Sequence, residues 1–197
     1  MFHKLTLVLV LMVLVSDGLQ GQDKGKEQAL TRIVDSKSFF KKFKGLLDFE
    51  DAKAGEVVNN KYAKQGVVFE SSNTKKDVSA HMYRFNGGLG GMLCIASQEP
   101  TYQGKLTVNF DVGPNKGVGV SQVGFHLAHV SKNGTVVEVY GKDKVLLGKL
   151  AVDKSSQGTA FIGFESKKPV MSLLIVPNPK IDEDFALDDL AFKAWKK

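Results

Sequence analysis

The chain has only one cysteine and, beyond its first residues, no long apolar run. Both features exclude whole classes of protein. Cys94 is the single cysteine of 197 residues, which excludes an internal disulfide and the cysteine pairs of most zinc centres. Cys94 lies in the apolar stretch MLCIA at 92–96, which favours a buried, unreactive thiol. After residue 21 no segment approaches the roughly 20 apolar residues of a membrane-spanning helix. We therefore expect the mature chain to depend on core packing for its stability and to make no stable membrane insertion.

The common catalytic motifs are also missing. No Gly-x-Ser-x-Gly pattern marks a hydrolase, and the glycine-rich NGGLGG at 86–91 is not followed by the Lys and Ser or Thr of a phosphate-binding loop. His126 and His129 are three residues apart, so on a regular strand they face opposite sides and would not converge on a metal. These absences predict that the protein is not an enzyme.

The first 21 residues have the order of a secretory signal peptide. A short basic start at His3 and Lys4 is followed by an apolar run at 5–15 and by small and polar residues at 16–21. We expect this segment to be removed and the protein to be secreted or extracellular, with the periplasm or the cell surface as further locations. The next segment, 22–45, is a basic amphipathic lead-in, in which Leu30, Ile33 and Phe40 have roughly helical spacing. It predicts a short helix or linker.

From residue 46 onward, short apolar runs alternate with turn residues. The candidate strands are 46–49, 67–70, 82–85, 92–96, 106–110, 118–127, 135–140, 145–152, 160–164, 170–176 and 185–192. Many short strands without intervening helices predict an all-β domain over 46–197, an antiparallel β-sandwich. Asn133-Gly134 is typical of a tight hairpin turn, and residues 141–144 predict a second turn.

The net charge of +6 and the pI near 9.2 come almost entirely from lysine. These lysines are spread along the chain, with only short clusters such as Lys41-Lys42 and Lys75-Lys76. Dispersed lysines are more typical of a solvated surface than of a nucleic-acid-binding stripe, so no nucleic-acid partner is expected.

Carboxylates interrupt two of the most apolar segments. Asp48 and Glu50 lie in the first segment, and Asp188 and Asp189 lie in the last. In one interpretation each acid points to solvent from an alternating strand. In the other, the first and last strands lie side by side and share a cation, most plausibly calcium, because isolated buried carboxylates are costly. On regular strands Asp48 and Glu50 would share a face, while Asp188 and Asp189 would point to opposite sides.

Several segments together resemble a known family. The strings LLDFED at 46–51, AGEVVNNKY at 54–62, QGVVF at 65–69, TVVEVY at 135–140, FIGF at 161–164 and FALDDL at 185–190 are similar to secreted bacterial jelly-roll domains of the galactose-binding-like class. A more distant similarity is to MAM domains, whose disulfides this chain lacks. The resemblance implies a jelly-roll fold and a structural calcium that joins the first and last strands. It assigns Glu50 and Asp188 to that calcium, with Asp189 as the neighbour of Asp188. From the coordination that calcium prefers, Asp48 on the face of Glu50 and loop carbonyls near 51–55 are further candidate ligands.

The resulting functional prediction is a secreted, non-catalytic module that binds carbohydrate or another extracellular polymer. Tyr102, in the loop-like EPTYQG at 99–104, is the aromatic we expect to be exposed for stacking on a sugar. The other aromatic candidates are Tyr62, Tyr83, Tyr140 and Trp195. Two alternatives stay open: a glycan-active hydrolase or lyase that uses paired acids, and a structural or adhesive envelope protein without a small ligand.

Overall fold

The structure is a computed structural model that describes residues 29–43, 45–53, 56–72, 80–85, 92–97, 104–128, 135–152, 159–177 and 185–196. At residues 72, 80–85 and 92–97 it describes the backbone alone. The predicted signal peptide at 1–21 lies outside these residues. Within the described part of the chain, no helix is long and apolar enough to cross a membrane.

Two antiparallel sheets form the domain. The strands are β1 (Leu30–Ile33), β2 (Val68–Ser72), β3 (Ala80–Phe85), β4 (Met92–Ser97), β5 (Lys105–Asn109), β6 (Val120–Ala128), β7 (Thr135–Tyr140), β8 (Leu146–Ala151), β9 (Thr159–Val170), β10 (Ser172–Pro177) and β11 (Ala186–Ala194). A six-stranded sheet has the order β1-β9-β6-β11-β4-β3, and a five-stranded sheet has the order β2-β5-β10-β7-β8. One short helix, α1 (Ser36–Phe40), follows β1.

The pairing of the strands is nested, as in a jelly roll. β7 pairs with β8, β6 with β9, β5 with β10 and β4 with β11. A long hairpin rolled up in this way places successive pairs in alternate sheets, which is the jelly-roll arrangement. The prediction of an all-β antiparallel sandwich is confirmed.

Alternating side chains from the two sheets fill the core. In β7, Val137 and Val139 are fully buried, whereas Glu138 and Tyr140 lie on the wetter side. In β10, Leu173 and Ile175 are buried in the same way. The sequence shows this period of two in β7, whereas β10 is a continuous apolar run in which only the structure reveals the alternation of burial.

Three local predictions are wrong. Residues 46–49 form no strand, because Phe49 has a φ of 58° that turns the backbone away, and only Leu47 pairs, in an isolated bridge to Leu190. Leu30–Ile33 is not helical; it is an edge strand on β9, with Leu30 filling the gap between the sheets against Gly148. Asn133-Gly134 lies outside the described residues, but it joins β6 and β7, which belong to different sheets and so form no hairpin.

The predicted turn at residues 141–144 does join two paired strands. The backbone N–H of Gly141 donates to the carbonyl of Val145 across 2.9 Å, and β7 and β8 pair on either side. Asp143 and Lys144 adopt positive φ values of 55° and 57°, which close the turn. The hairpin projects its lysines just beyond Tyr140.

Helix α1 packs on the outer face of the six-stranded sheet. Asp35 caps its N-terminus by accepting a hydrogen bond from the backbone N–H of Ser38. Phe39 is 3% exposed and lies directly over Gly124, where a Cβ would meet its ring. Phe40 contacts the rings of His126 and Phe161, with centroids 5.1 and 5.5 Å away. The short helix expected within residues 22–45 is therefore present, and its phenylalanines pack on the domain.

Candidate functional site

The start and the end of the sandwich meet at what we call the terminal junction, residues 47–50 and 188–190. The backbone N–H of Leu47 donates to the carbonyl of Leu190 across 2.9 Å, and the N–H of Leu190 donates back to Leu47 across 3.0 Å. Phe49 anchors the first segment, since its buried ring packs edge-on against Tyr62 and Phe69. The two acid-bearing segments are therefore neighbours, as a shared cation would require.

A β-bulge reshapes the last strand at this junction. Asp188 pairs with His126 and Ala191 pairs with Gly124, so β11 has one residue more than β6 between the pairs. Asp189, in the bulge, has a φ of 52° and its carboxylate Oδ2 lies 2.8 Å from Nδ1 of His126. The expectation that Asp188 and Asp189 point to opposite sides assumed a regular strand. The bulge interrupts that alternation, and both carboxylates act on His126.

Asp188 is a buried carboxyl among like charges. Its residue is 7% exposed, and its Oδ1 accepts a hydrogen bond from the backbone N–H of Asp189. Burial, followed by the charge of Asp189, raises the pKa of Asp188 to about 7, and Glu50 adds to the rise. The N–H of Asp189 and the charge of His126 act in the other direction. A cation at this position would relieve the cost of ionising Asp188.

Backbone strain is concentrated at the same place. Phe49 and Asp189, with φ values of 58° and 52°, stand on either side of the Leu47–Leu190 bridge. A bulky residue at positive φ costs on the order of 1–3 kcal/mol, whereas Asp tolerates this conformation better. Such strain persists where the surroundings hold the backbone in place, and it often coincides with sites that bind.

The oxygen ligands at the junction are of the type that calcium prefers, but the carboxylates alone are too few to complete its coordination shell. Asp48 and Glu50 are exposed, and the N–H of Glu50 donates to Oδ1 of Asp48 across 3.3 Å. Among the described residues no three carboxylate, histidine or cysteine side chains stand together as a metal-binding group. Backbone carbonyls and water would have to complete the shell around Asp188, Asp189 and Glu50.

One of the loop carbonyls expected as a ligand already accepts a hydrogen bond. The ammonium of Lys61 donates to the carbonyl of Asp51 across 3.0 Å and to Oε1 of Glu56 across 2.9 Å. The hydroxyl of the buried Tyr62 donates to Oδ1 of Asp51 across 2.7 Å. This part of the loop is therefore held in place by side chains of the protein itself.

A second candidate site is the outer surface of the five-stranded sheet, which we call the open face. Its outward side chains follow from the strand register in cross-strand rows. One row runs Val68, Asn109, Ser172, Tyr140 and Leu146; the next runs Glu70, Thr107, Leu174, Glu138 and Lys149. Apart from Val68, these side chains remain partly or fully exposed. The open face thus combines hydroxyl, amide, charged and apolar groups on a broad sheet surface.

Tyr140 is the aromatic centre of the open face. Its hydroxyl donates to Oε2 of Glu138 across 2.6 Å, while the ammonium of Lys149 donates to Oε1 of Glu138 across 2.6 Å. The bond to Glu138 raises the pKa of Tyr140, and the bonds from Lys149 and Tyr140 lower the pKa of Glu138. Leu146, 46% exposed, is the cross-strand neighbour of Tyr140 and extends an apolar surface beside its ring.

The aromatic residues chosen from the sequence fare differently. Tyr102 lies outside the described residues, so its role stays a prediction. Tyr62 is buried, with its hydroxyl bound to Asp51, so it presents no face to a ligand. Tyr140 was one of the aromatic candidates, but Tyr102 was preferred, although Tyr140 lies with Glu138 on the wetter side of β7. Its partners Lys149 and Leu146 could not be found locally, because they come from the neighbouring strand.

No protein-family model matches the chain, and no curated protein matches it. Among solved structures, the CBM22-1 xylan-binding domain from Paenibacillus barcinonensis is 16% identical, with a TM-score of 0.37, and the match covers 74% of this chain and 99% of that one. A family 29 carbohydrate-binding module from Piromyces equi is 12% identical, with a TM-score of 0.39, over 64% of this chain and 89% of that one.

The enzymatically active domain of tailspike protein 4 from bacteriophage CBA120 is 8% identical, with a TM-score of 0.41 over 72% of this chain. This chain spans 21% of that protein's length. At these identities and TM-scores the likenesses assign neither a ligand nor an activity to this chain.

Proposed function

We propose that the protein is a non-catalytic, secreted carbohydrate-binding module that holds a polysaccharide on its open face. The observation that carries the proposal is the apolar surface of Tyr140 and Leu146, bordered by the polar side chains of Ser172, Asn109 and Thr107. A sugar ring presents C–H groups on its faces and hydroxyls at its rim. An aromatic face attracts the former, and hydroxyl and amide side chains hydrogen-bond the latter.

The anchoring of Tyr140 favours binding. Because Glu138 holds the tyrosine hydroxyl, the ring has little conformational freedom to lose when a ligand stacks on it. The strands beneath are part of the packed core, with Val137 and Val139 fully buried, so the platform is preorganised. A rigid, exposed aromatic beside several hydrogen-bonding groups is an economical means of binding a sugar weakly and reversibly.

The test is a glycan array probed with the exported chain and with single variants. Tyr140→Ala should abolish binding to the glycan that the parent recognises, whereas Tyr140→Phe, which keeps the ring, should retain most of it. Trp195→Ala, which removes the aromatic at the end of β11, serves as the matched control and should bind normally. Tyr102→Ala tests the prediction made for that residue. Retention of binding by Tyr140→Ala would reject the open face as the site.

The products of incubation with a polysaccharide distinguish an enzyme from a binding module. A hydrolase or lyase would release reducing ends or unsaturated sugars from the polymer that it binds, whereas a binding module leaves the chain length unchanged. A structural or envelope protein without a ligand would bind nothing on the array. Incubation of the bound polymer with the protein, followed by a reducing-sugar assay, distinguishes the first two.

We further propose that calcium at the terminal junction joins the first segment to β11, with Asp188 and Glu50 as carboxylate ligands, Asp189 as a neighbouring charge, and backbone carbonyls and water as the remaining ligands. The buried carboxyl of Asp188 and the like charges beside it support a cation here. The ion would supply positive charge to these carboxylates and no reaction chemistry.

Thermal unfolding in calcium and in chelator tests this second proposal. Calcium should raise the unfolding temperature of the parent, because an ion that binds only the folded state stabilises it. Asp188→Asn should lose that response and, in chelator, should be at least as stable as the parent, since it removes a buried charge. The same response to calcium in Asp188→Asn as in the parent would exclude Asp188 as a ligand.

Export is the remaining part of the proposal. The signal-like segment at 1–21 supports secretion into the medium or the periplasm, without a nucleic-acid partner and without stable insertion of the mature chain into a membrane. N-terminal sequencing of the mature protein from each cell fraction would locate both the cleavage point and the compartment. Protein found in the cytoplasm with residues 1–21 still attached would contradict the proposal that the chain is exported.

A further inference from the structure

The charges around Tyr140 indicate which class of polysaccharide the open face would hold. Both carboxylate oxygens of Glu138 are used within the protein, one by the Tyr140 hydroxyl and one by the Lys149 ammonium, each at 2.6 Å. Lys149, then Tyr140, lowers the pKa of Glu138, and Lys105 contributes to the same effect. Glu138 is therefore an internal anchor rather than a free acceptor for the hydroxyls of a ligand.

The ammonium of Lys149 has N–H groups that its described contacts do not use. An ammonium has three N–H groups, and the described contacts of Lys149 use one of them, on Glu138. Its side chain is 56% exposed, beside Tyr140 on the adjoining strand. A ligand lying on the Tyr140 ring would therefore meet an exposed ammonium, bonded to Glu138, whose remaining N–H groups can donate to an anion.

Most of the charged side chains near Lys149 are positive. Lys142 and Lys144 are exposed in the turn that follows Tyr140, and Lys105 is exposed on β5 close enough to act on Glu138. With Lys149 they make four lysines against two acids, Glu138 and Asp143. Glu70 belongs to the same face but to the far edge strand, three strands from Glu138, at roughly 14 Å for strands about 4.8 Å apart.

We propose that the open face selects acidic polysaccharides, chains whose sugar rings carry carboxylate groups, with Lys149 as the residue that recognises the carboxylate. This inference rests on the proposed function and specifies its ligand. The ring stacks on Tyr140 and Leu146, and the carboxylate lies against the free N–H groups of Lys149, with the lysines of the turn adding attraction at longer range.

The experiment compares two polymers that share a backbone and differ in charge: polygalacturonate and its fully methyl-esterified form. Affinity electrophoresis and calorimetry should show tighter binding to polygalacturonate, with a difference that shrinks as salt rises, since exposed charges are screened. Lys149→Gln should weaken binding to polygalacturonate by about two- to fivefold, as expected for one exposed charge pair, and leave the ester unaffected.

Two variants serve as controls. Lys149→Arg keeps the charge and should keep the preference for the acidic polymer. Lys193→Gln removes an equally exposed lysine from β11, on the other sheet, and should bind as the parent does. Unfolding temperatures of all variants confirm that the fold is retained.

The outcomes separate the inference from the function on which it rests. Tighter binding to the ester, or equal loss by Lys149→Gln on both polymers, would overturn the preference for acidic chains while leaving carbohydrate binding intact. Binding of single-stranded DNA as tightly as polygalacturonate would overturn it as well, by showing attraction to any polyanion. Binding to no polysaccharide, charged or neutral, would remove the proposed function itself.

Discussion

The two outer faces of the sandwich differ in what lies on them. On the six-stranded sheet, the rings of Phe40 and Phe161 contact His126, Phe39 packs against Phe161, and Gly124 leaves room for Phe39. On the five-stranded sheet, Tyr140 stands beside Leu146 and Glu138 with its surface partly exposed. Both faces have an aromatic centre, but within the described residues a helix packs on the first face alone.

The difference shows that aromatic residues on the two outer faces of one fold can serve different purposes, stability on one face and access to a ligand on the other. Phe39 is almost completely removed from water, so it contributes to stability through burial of apolar area. Tyr140 remains accessible and is held through its hydroxyl, so its ring is available to a ligand at little cost in stability. The following changes test this contrast, beginning with the largest expected effect.

Phe39→Ala should destabilise the protein by about 3–5 kcal/mol, because it removes a buried aromatic and leaves a cavity between α1 and the sheet. Urea unfolding followed by circular dichroism measures the change. Leu146→Ala, on the open face, is the matched control and should cost less than about 1 kcal/mol. Equal losses in the two variants would remove the distinction between a closed and an open face.

Gly124→Ala should cost about 1–3 kcal/mol, because the added Cβ would overlap the ring of Phe39 and push the helix outward. The same unfolding experiment reports the loss. Gly45→Ala is the control, since nothing lies within 4 Å of its added Cβ. If Gly124→Ala is neutral, Phe39 does not rest on Gly124 as described.

Tyr140→Ala should change the free energy of unfolding by about 1 kcal/mol or less, since the ring is only partly buried and the change lies on the surface. Binding, by contrast, should be lost, so the two measurements on one variant separate function from stability. A loss of several kcal/mol would mean that Tyr140 belongs to the core and not to a binding surface.

Glu138→Gln should have the smallest effect on stability, below about 1 kcal/mol, because Glu138 forms surface ion pairs and hydrogen bonds. Its lowered pKa means that ionised Glu138 favours the folded state above its usual pKa, and that this contribution fades as pH falls through the lowered value. The stability of parent and variant should therefore converge at acidic pH. A constant difference down to low pH would contradict the role of the charge.

Much of the sandwich could be predicted because its strands carry local signals. The alternation in β7 reflects a core on one side and solvent on the other, and it was visible without knowledge of the neighbours. The turn at 141–144 had a composition suited to reversal of the chain. The edge strand β1 had no such signal, because Leu30 is buried by contact with the opposite sheet at Gly148.

The candidate sites, too, were predictable only in the part that depends on neighbouring residues in the sequence. The acids of the terminal junction stood out as charges within apolar segments, but a regular strand was assumed for Asp188 and Asp189. The bulge depends on how β11 registers against β6, which no short window of sequence contains. Similarly, Tyr140 and Glu138 could be assigned to one side of β7, while Lys149 reaches them only through the pairing of β7 with β8.

By itself, the amino-acid sequence determined that most of this chain forms short antiparallel strands, which residues of β7 face the core, and that carboxylates interrupt its first and last apolar segments. Only the tertiary structure decided that those segments are neighbours, that α1 covers one outer face, and that Lys149 and Leu146 flank Tyr140. The physical reason is how far apart in the sequence the interacting residues lie. Alternation is a property of adjacent residues, whereas a site is assembled by pairing between strands that are distant in the chain.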